Sequence, residues 1–277
     1  MNLAITGGTS GIGVEKVKAL APGFSKIFLL VRDIEKAKKL VGKIKPVGKE
    51  DKFVLVPCDL ADLESVSKAA EMISAQTDSI DVLINNAGGI FPEKIITKNQ
   101  LELTFSANHL GHFLLTLKML PLLTNKNGAR VINVSSDAHK AASVNLDDLQ
   151  FEKGYSSFKA YANAKLFNIL FTKSLAEKFG DRNIQAYVLH PGVVDTNFGH
   201  QSKGFFKVFL SLFKPFMISP KKGAETGIFL ATTAKVPGEN GGYYKKSKIA
   251  SPSKKAQSKK LRDQVWERSE KLVQPYL

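Results

Sequence analysis

The chain has 277 residues, 43% of them hydrophobic, a single cysteine and a net charge of +15 at pH 7. That length suits one large α/β domain covering 1–277, while a lone Cys58 excludes an internal disulfide and fits a reducing, cytoplasmic compartment. No apolar run reaches the ~20 residues of a membrane span, and the first strand starts too early to leave room for a cleaved signal.

The positive charge is spread over two lysine-rich stretches, between Glu35 and Lys52 and from Lys245 to Lys260, interleaved with small polar residues. Neither stretch carries aromatic platforms or base-facing groups, so both read as solvated faces and no nucleic-acid partner is expected.

In chain order, Asn2–Thr6 is a short apolar strand running into Gly7-Gly-Thr9-Ser10-Gly11-Ile12-Gly13 and then a helical pattern through Val14, Val17 and Leu20. A strand, a glycine-rich turn and a helix start form a phosphate seat, because glycines let backbone approach the anion and the first helical N–H groups face it. The spacing is Gly-x-x-x-Gly-x-Gly, not the more common Gly-x-Gly-x-x-Gly. The next strand, Lys26–Val31, ends in Arg32-Asp33, where a first βαβ unit meets the adenosine ribose. An acidic residue at that tip would favour NAD, whereas the Arg32 guanidinium suits a 2′-phosphate, so NADP(H) is favoured over NAD(H). Asp33 also reads as an N-cap for the helix through Ala37 and Leu40.

Apolar runs at Phe53–Val56, Val82–Ile84 and Val131–Val134 continue the strand series. Alternation of strands and helices as far as Val194 predicts a Rossmann-type doubly wound parallel sheet with helices on both faces.

Two Tyr-x-x-x-Lys pairs follow, Tyr155/Lys159 and Tyr161/Lys165. A spacing of four on a helix places a phenol and an ammonium on one face, and the ammonium would lower the phenol pKa enough for acid/base work. Tyr161 leads a run at helical spacing, while Tyr155 follows Gly154 in a polar segment that reads as the loop leading into that helix, so Tyr161 is the candidate acid/base.

Together these segments, with Asp59-Leu60, Asn85-Asn86-Ala87-Gly88, Asn108, Ser135-Ser136 and His190-Pro191-Gly192-Val193-Val194-Asp195-Thr196, resemble the short-chain dehydrogenase/reductase family over essentially the whole chain. Asn108–Thr116, Asn133–His139 and Gly241–Tyr244 look like its retinol dehydrogenase and WW-domain oxidoreductase branch. The resemblance implies a catalytic set of Asn108, Ser136, Tyr161 and Lys165, with Ser136 polarising a carbonyl and Asn108 anchoring a relay water. It further implies coenzyme contacts at Gly7, Thr9, Ser10, Gly11, Ile12, Gly13, Arg32, Asp59, Leu60, Asn86, Ala87, Gly88, Tyr161, Lys165, Pro191, Val194 and Thr196. Asn85 has a purely structural reading as a bridge between strands. The five histidines show no metal-ligand spacing and no metal is expected.

Between about 198 and 222 the chain turns aromatic, and Phe205, Phe209, Leu212, Phe213 and Phe216 share one helical face with Lys207, Ser211 and Lys214 opposite. Such a segment suits a lid over a lipophilic aldehyde, ketone or retinoid-like substrate, and could also touch a membrane surface peripherally or a second copy of the chain. A dinucleotide-binding sensor with little turnover is the alternative class of function.

Overall fold

The computed structural model describes residues 1–44, 52–123, 128–194 and 217–277. Its centre is an eight-stranded sheet built from β1 (Asn2–Thr6), β2 (Lys26–Val31), β3 (Phe53–Pro57), β4 (Val82–Asn85), β5 (Ala129–Val134), β6 (Ile184–His190), β7 (Tyr243–Lys245) and β8 (Lys248–Ala250). The spatial order is β3-β2-β1-β4-β5-β6-β7-β8. Every pairing is parallel except β7 with β8, which is antiparallel at the edge. The order reverses between β1 and β4, and in such sheets a ligand crevice opens at the carboxyl ends of the strands at that point.

Helices cover both faces, as buried Val/Ile/Leu runs in parallel strands require. On one side lie α1 (Gly11–Leu20) and α2 (Ile34–Ile44), and on the other α3 (Leu63–Ser74). A helical run follows, composed of α4 (Leu103–Phe105), a π-helical turn at Ser106–Leu110, α5 (Gly111–Lys118) and α6 (Leu120–Leu123). Then come the long α7 (Ser157–Phe179), α8 (Pro220–Thr232) and α9 (Lys259–Val273). Two hydrophobic clusters result, one joining α3, α5, α7 and α9 to the sheet and the other joining α1, α2 and α8 to the opposite face.

Local chemistry explains the boundaries that matter for the site. Asp33 caps α2 by accepting from Lys36 N at 2.9 Å, and Ser156 caps α7 by accepting from Lys159 N at 3.4 Å. Tyr155 therefore precedes the helix while Tyr161 and Lys165 lie one turn apart within it.

The last helix is fastened by an aromatic cluster. Trp266, 7% exposed, packs on Phe113 (4.9 Å between centroids), Phe171 (6.0 Å) and Phe179 (6.3 Å), joining α9 to α5 and α7. Trp266→Ala should lose about 3–5 kcal/mol of stability, the range for deleting a large core aromatic. Urea unfolding measures it, and a loss under about 1 kcal/mol would show that α9 is held by other contacts.

Candidate active site

Four segments converge at the carboxyl ends of β1, β4, β5 and β6. The first is the glycine turn. Gly7 has φ of +65°, and a Cβ there would stand 2.8 Å from Ala87 Cα; one at Gly13 would stand 2.0 Å from the Gly7 carbonyl. No side chain fits at either place, so the turn lies flat against the loop after β4.

The Ser10 carbonyl accepts from Gly13 N at 3.0 Å and Val14 N at 3.4 Å, and the Ser10 side chain makes no cap bond. The N–H groups of Gly11 and Ile12, in the first turn of α1, have no intrahelical acceptor, as an anion seat requires. Thr9 and Ser10 border this opening.

The second segment, Asn85–Gly88, is bound to the first through Thr6. The Thr6 hydroxyl accepts from Asn86 N at 2.9 Å and Ala87 N at 3.0 Å, and the Asn86 side chain donates to Thr6 O at 3.0 Å and Gly7 O at 3.2 Å. Asn85 points elsewhere, donating to Thr116 Oγ1 at 2.9 Å and Asn133 Oδ1 at 2.8 Å, which is the bridging role read from sequence.

Gly88 leaves a cradle. A Cβ there would meet Asn108 Oδ1 at 2.7 Å and Lys165 Nζ at 3.2 Å. Asn108 spends its side-chain amide on the loop after β4, accepting from Gly89 N and donating to Gly89 O, both at 2.8 Å. Its backbone carbonyl sits in the π-helical turn, where it accepts from Asn168 Nδ2 at 3.1 Å.

The third segment ends β5. Ser135 is buried, and its hydroxyl donates to Lys165 O at 2.7 Å. Ser136 faces the other way and hydrogen-bonds the Tyr161 phenol. Alternation along the strand thus leaves Ser136 as the serine toward the crevice.

Lys165 lies 5.5 Å from the Tyr161 ring centroid and donates to Val134 O at 3.0 Å. Tyr155 is committed elsewhere, its hydroxyl donating to Phe91 O at 2.9 Å beside Thr104 Oγ1 at 3.0 Å.

The electrostatics correct one expectation. The spacing predicts that Lys165 depresses the Tyr161 pKa, but burial pushes Tyr161 up to about 12, opposed by the Ser136 hydrogen bond. The physical reason is that the same burial brings Lys165 down to about 8 and its Nζ bonds a backbone carbonyl, so within the protein alone desolvation outweighs attraction.

The fourth segment follows β6. Pro191 and Gly192 turn the chain, and Val194 bridges to Ile218 beside α8. Thr196, and the phenylalanine face between Phe205 and Phe216, lie outside the described residues.

At the adenosine end, the Asp59 side chain folds back to accept from Ala61 N at 3.0 Å, and Leu60 is buried against Gly111. Arg32 is exposed at the end of β2 and enters no hydrogen bond or ion pair among the described residues.

Three contributors have no site role in the sequence reading, namely Thr6, His112 and Asn168. His112 Nε2 lies 2.9 Å from Thr6 Oγ1, and Asn168 Nδ2 lies 3.3 Å from Val134 O. Asn168 could have been found by helical spacing, since Tyr161, Lys165, Asn168 and Thr172 recur at four, three and four residues along one face.

Residues 2–204 match the short chain dehydrogenase family. Retinol dehydrogenase 12 of Mus musculus is 34% identical over 264 residues, covering 95% of this chain and 83% of its own. WW domain-containing oxidoreductase of Pongo abelii is 32% identical, covering 99% and 68%. The crystal structure of an uncharacterized protein from Mycobacterium Paratuberculosis superposes with a TM-score of 0.79 at 28% identity, covering 99% of this chain and 93% of that one. The chain belongs to the short-chain dehydrogenase/reductase family and is an NAD(P)-dependent oxidoreductase acting on CH–OH groups. The first-turn N–H groups of α1 and the side-chain-free approaches at Gly7, Gly13 and Gly88 fit the dinucleotide that such chemistry needs.

Gly88→Ala tests the cradle. The added methyl must displace the Asn108 amide or the Lys165 ammonium, and turnover should fall by up to about 10²-fold in a protein with unchanged circular dichroism. Wild-type turnover would show that the cradle tolerates a side chain and does not set the geometry.

Proposed function

We propose that the chain is an NADP(H)-dependent enzyme interconverting carbonyl and alcohol on a lipophilic aldehyde, ketone or retinoid-like substrate, with Asn108, Ser136, Tyr161 and Lys165 as its catalytic groups. The observation that carries this reading is the hydrogen bond between Ser136 and Tyr161 with the Lys165 ammonium beside the same ring.

The coenzyme supplies or takes the hydride at its nicotinamide. In reduction, Tyr161 Oη gives its proton to the substrate oxygen while the Ser136 hydroxyl donates a hydrogen bond to the same oxygen, offsetting the charge that develops there. Lys165 stabilises the resulting phenolate. The Asn108 carbonyl, held in the π-helical turn, would anchor a water that returns a proton toward Lys165.

Glycine turn residues 7–13 would seat the pyrophosphate on the Gly11 and Ile12 N–H groups. Asn86, Ala87 and Gly88 give the sugar a close backbone approach, Asp59 and Leu60 border the adenine, and Pro191, Val194 and Thr196 border the nicotinamide.

Preference for NADP(H) is supported by the division of labour after β2. Asp33 is occupied as the cap of α2, whereas Arg32 has no partner among the described residues and is suited to a 2′-phosphate. The substrate class is supported by the retinol dehydrogenase relatives and the aromatic 204–218 sequence. Among the described residues no helix is long and apolar enough to cross a membrane. A cytoplasmic location, with peripheral membrane contact through the aromatic segment, is part of the same proposal.

Tyr161→Phe should retain coenzyme binding and lower turnover at least about 10²-fold, the scale of a lost general acid, while Tyr155→Phe stays far milder. Loss of NADPH absorbance with a panel of retinaldehyde, long-chain aldehydes and steroids reads both variants. Near-normal turnover in the first and collapse in the second would reverse the assignment.

Arg32→Ala should weaken NADPH binding by roughly tenfold or more, about the ~1.5–3 kcal/mol of a charge-assisted bond, and leave NADH binding nearly unchanged. Tighter binding of NADH than NADPH by the unaltered protein in a titration would sink the coenzyme assignment.

A further inference from the structure

Lys16 is a fully buried lysine, at 0% exposure, in a helix that begins at the phosphate seat. Its Nζ makes one hydrogen bond among the described residues, to Asn86 Oδ1 at 2.9 Å. The other end of the same amide donates to Thr6 O and Gly7 O, so the ammonium stands one side chain behind the glycine turn.

Room for it is made on the opposite side by Gly227 of α8. A Cβ at that position would meet Lys16 Cε at 2.5 Å and Nζ at 3.1 Å. The side chain is thus held in a fitted slot between α1, α8 and the loop after β4.

No carboxylate faces this slot among the described residues. On α1, Glu15 pairs with Lys18 at 2.9 Å on the outer face, and on α8 Glu225 pairs with Lys222 at 2.7 Å, also outside. Asn86 and Gly227 present neutral groups. The charged residue that acts on Lys16 is Lys165, of the same sign. Burial first and Lys165 second bring the Lys16 pKa down to about 7, and burial brings Lys165 down to about 8. Two ammonium groups therefore converge on the crevice from behind Asn86 and beside Gly88, and neither has an anionic partner among the described residues.

A charge buried without a counter-ion is costly unless something else supplies the opposite sign. The dinucleotide is that anion. Lys16 lies four residues after Ile12, about 6 Å along the helix axis, and helical side chains lean back toward the N-terminus, which brings its head beneath the pyrophosphate seat. Solvent screens buried charges far less than exposed ones.

Building on the coenzyme-binding reading above, we propose that Lys16 is a buried electrostatic partner of the dinucleotide, which binds best to the form of the protein in which Lys16 carries its proton. It acts through space and through Asn86 rather than by touching the coenzyme. Arrival of the anion favours the ammonium, so the protein takes up a proton on binding, and affinity falls as pH rises above about 7, where the group in the free protein is increasingly neutral.

Coenzyme affinity measured by calorimetry between pH 6.5 and 9, in buffers of different ionisation enthalpy, tests this without reference to turnover. For the unaltered protein, Kd should rise with pH by up to about tenfold per unit above pH 7, with net proton uptake. Lys165 and the coenzyme's own phosphate titrate in every variant, so the difference between variants is decisive. Lys16→Met should weaken binding by about tenfold or more at pH 7, by less at pH 9, and should reduce proton uptake near pH 8.

Lys16→Arg, whose charge does not titrate, should keep the affinity at pH 9 while losing the same share of proton uptake. Uptake and pH slope unchanged in either variant would overturn the proposal. If the unaltered protein binds neither NADPH nor NADH at pH 6.5, the coenzyme reading itself fails, an outcome distinct from binding that is tight and indifferent to Lys16.

Discussion

The site depends on one hydroxyl. Thr6 ends the central strand at the point where strand order reverses, and its Oγ1 accepts two backbone N–H bonds, from Asn86 and Ala87. With its acceptor capacity spent, its own hydrogen goes to His112 Nε2, at 2.9 Å. That fixes the remaining ring proton on Nδ1, which faces Asn108 O at 3.4 Å in the π-helical turn. Burial first, then the Lys165 charge, hold the His112 pKa down to about 3, so the ring stays neutral and keeps this direction across the physiological range. One chain of bonds thus sets the loop after β4, the glycine turn and the carbonyl proposed for the proton relay. Each would move if Thr6 moved.

Support reaches the same carbonyl from the far side of the helical layer. Asn168 on α7 donates to Asn108 O and Val134 O, and its own oxygen lies 3.3 Å from His109 Nδ1. His109 Nε2 in turn meets Ser269 Oγ of α9 at 2.9 Å. Val134 O is shared with Lys165, so the ammonium, the relay carbonyl and the last helix are parts of one hydrogen-bonded system. A fully connected buried network of this kind restricts its members to one arrangement, because any unpaired member would carry a desolvation penalty of about 1–3 kcal/mol.

Much of this arrangement is legible in the sequence, and the exceptions have physical causes. β1 and β2 are bounded as the apolar runs predict, because strands buried on both faces need continuous hydrophobic residues and end where the turn chemistry begins. The choice of Tyr161 over Tyr155 rests on helix position, and Tyr155 spends its hydroxyl on Phe91 O and Thr104 Oγ1. Asn168 lies at helical spacing from Tyr161 and Lys165, yet its burial is not legible, because every residue of α7 from Ala160 to Thr172 is buried, the polar Asn163, Lys165, Asn168 and Thr172 included, and no exposed face marks which polar residues point inward. The antiparallel β8 is three residues, two of them exposed, and has no hydrophobic run to announce it. Lys16 looks in sequence like any helical lysine. Only the glycine across from it, 211 positions later, reveals that it is enclosed.

The two branch-like motifs, Asn133–His139 and Gly241–Tyr244, stand more than a hundred residues apart yet meet behind Ser136. Tyr243 donates to Asp137 Oδ1 at 3.1 Å and stacks edge-on against His139, with ring centroids 5.4 Å apart, while Lys245 pairs with the other oxygen of Asp137. Ser253 N donates to His139 Nε2 at 3.0 Å, which requires that Nδ1 carry the proton and donate to Ser136 O at 2.6 Å. Asp137 N donates to His190 Nδ1 at 3.2 Å, tying the same turn to the start of the Pro191-Gly192 loop. The backbone of Ser136 is therefore gripped by the edge strand and by the segment after it, and its hydroxyl, which accepts from Ala138 N at 3.2 Å, also hydrogen-bonds Tyr161. Precision at the hydroxyl proposed to be catalytic demands a rigid support, and here the sheet edge provides it.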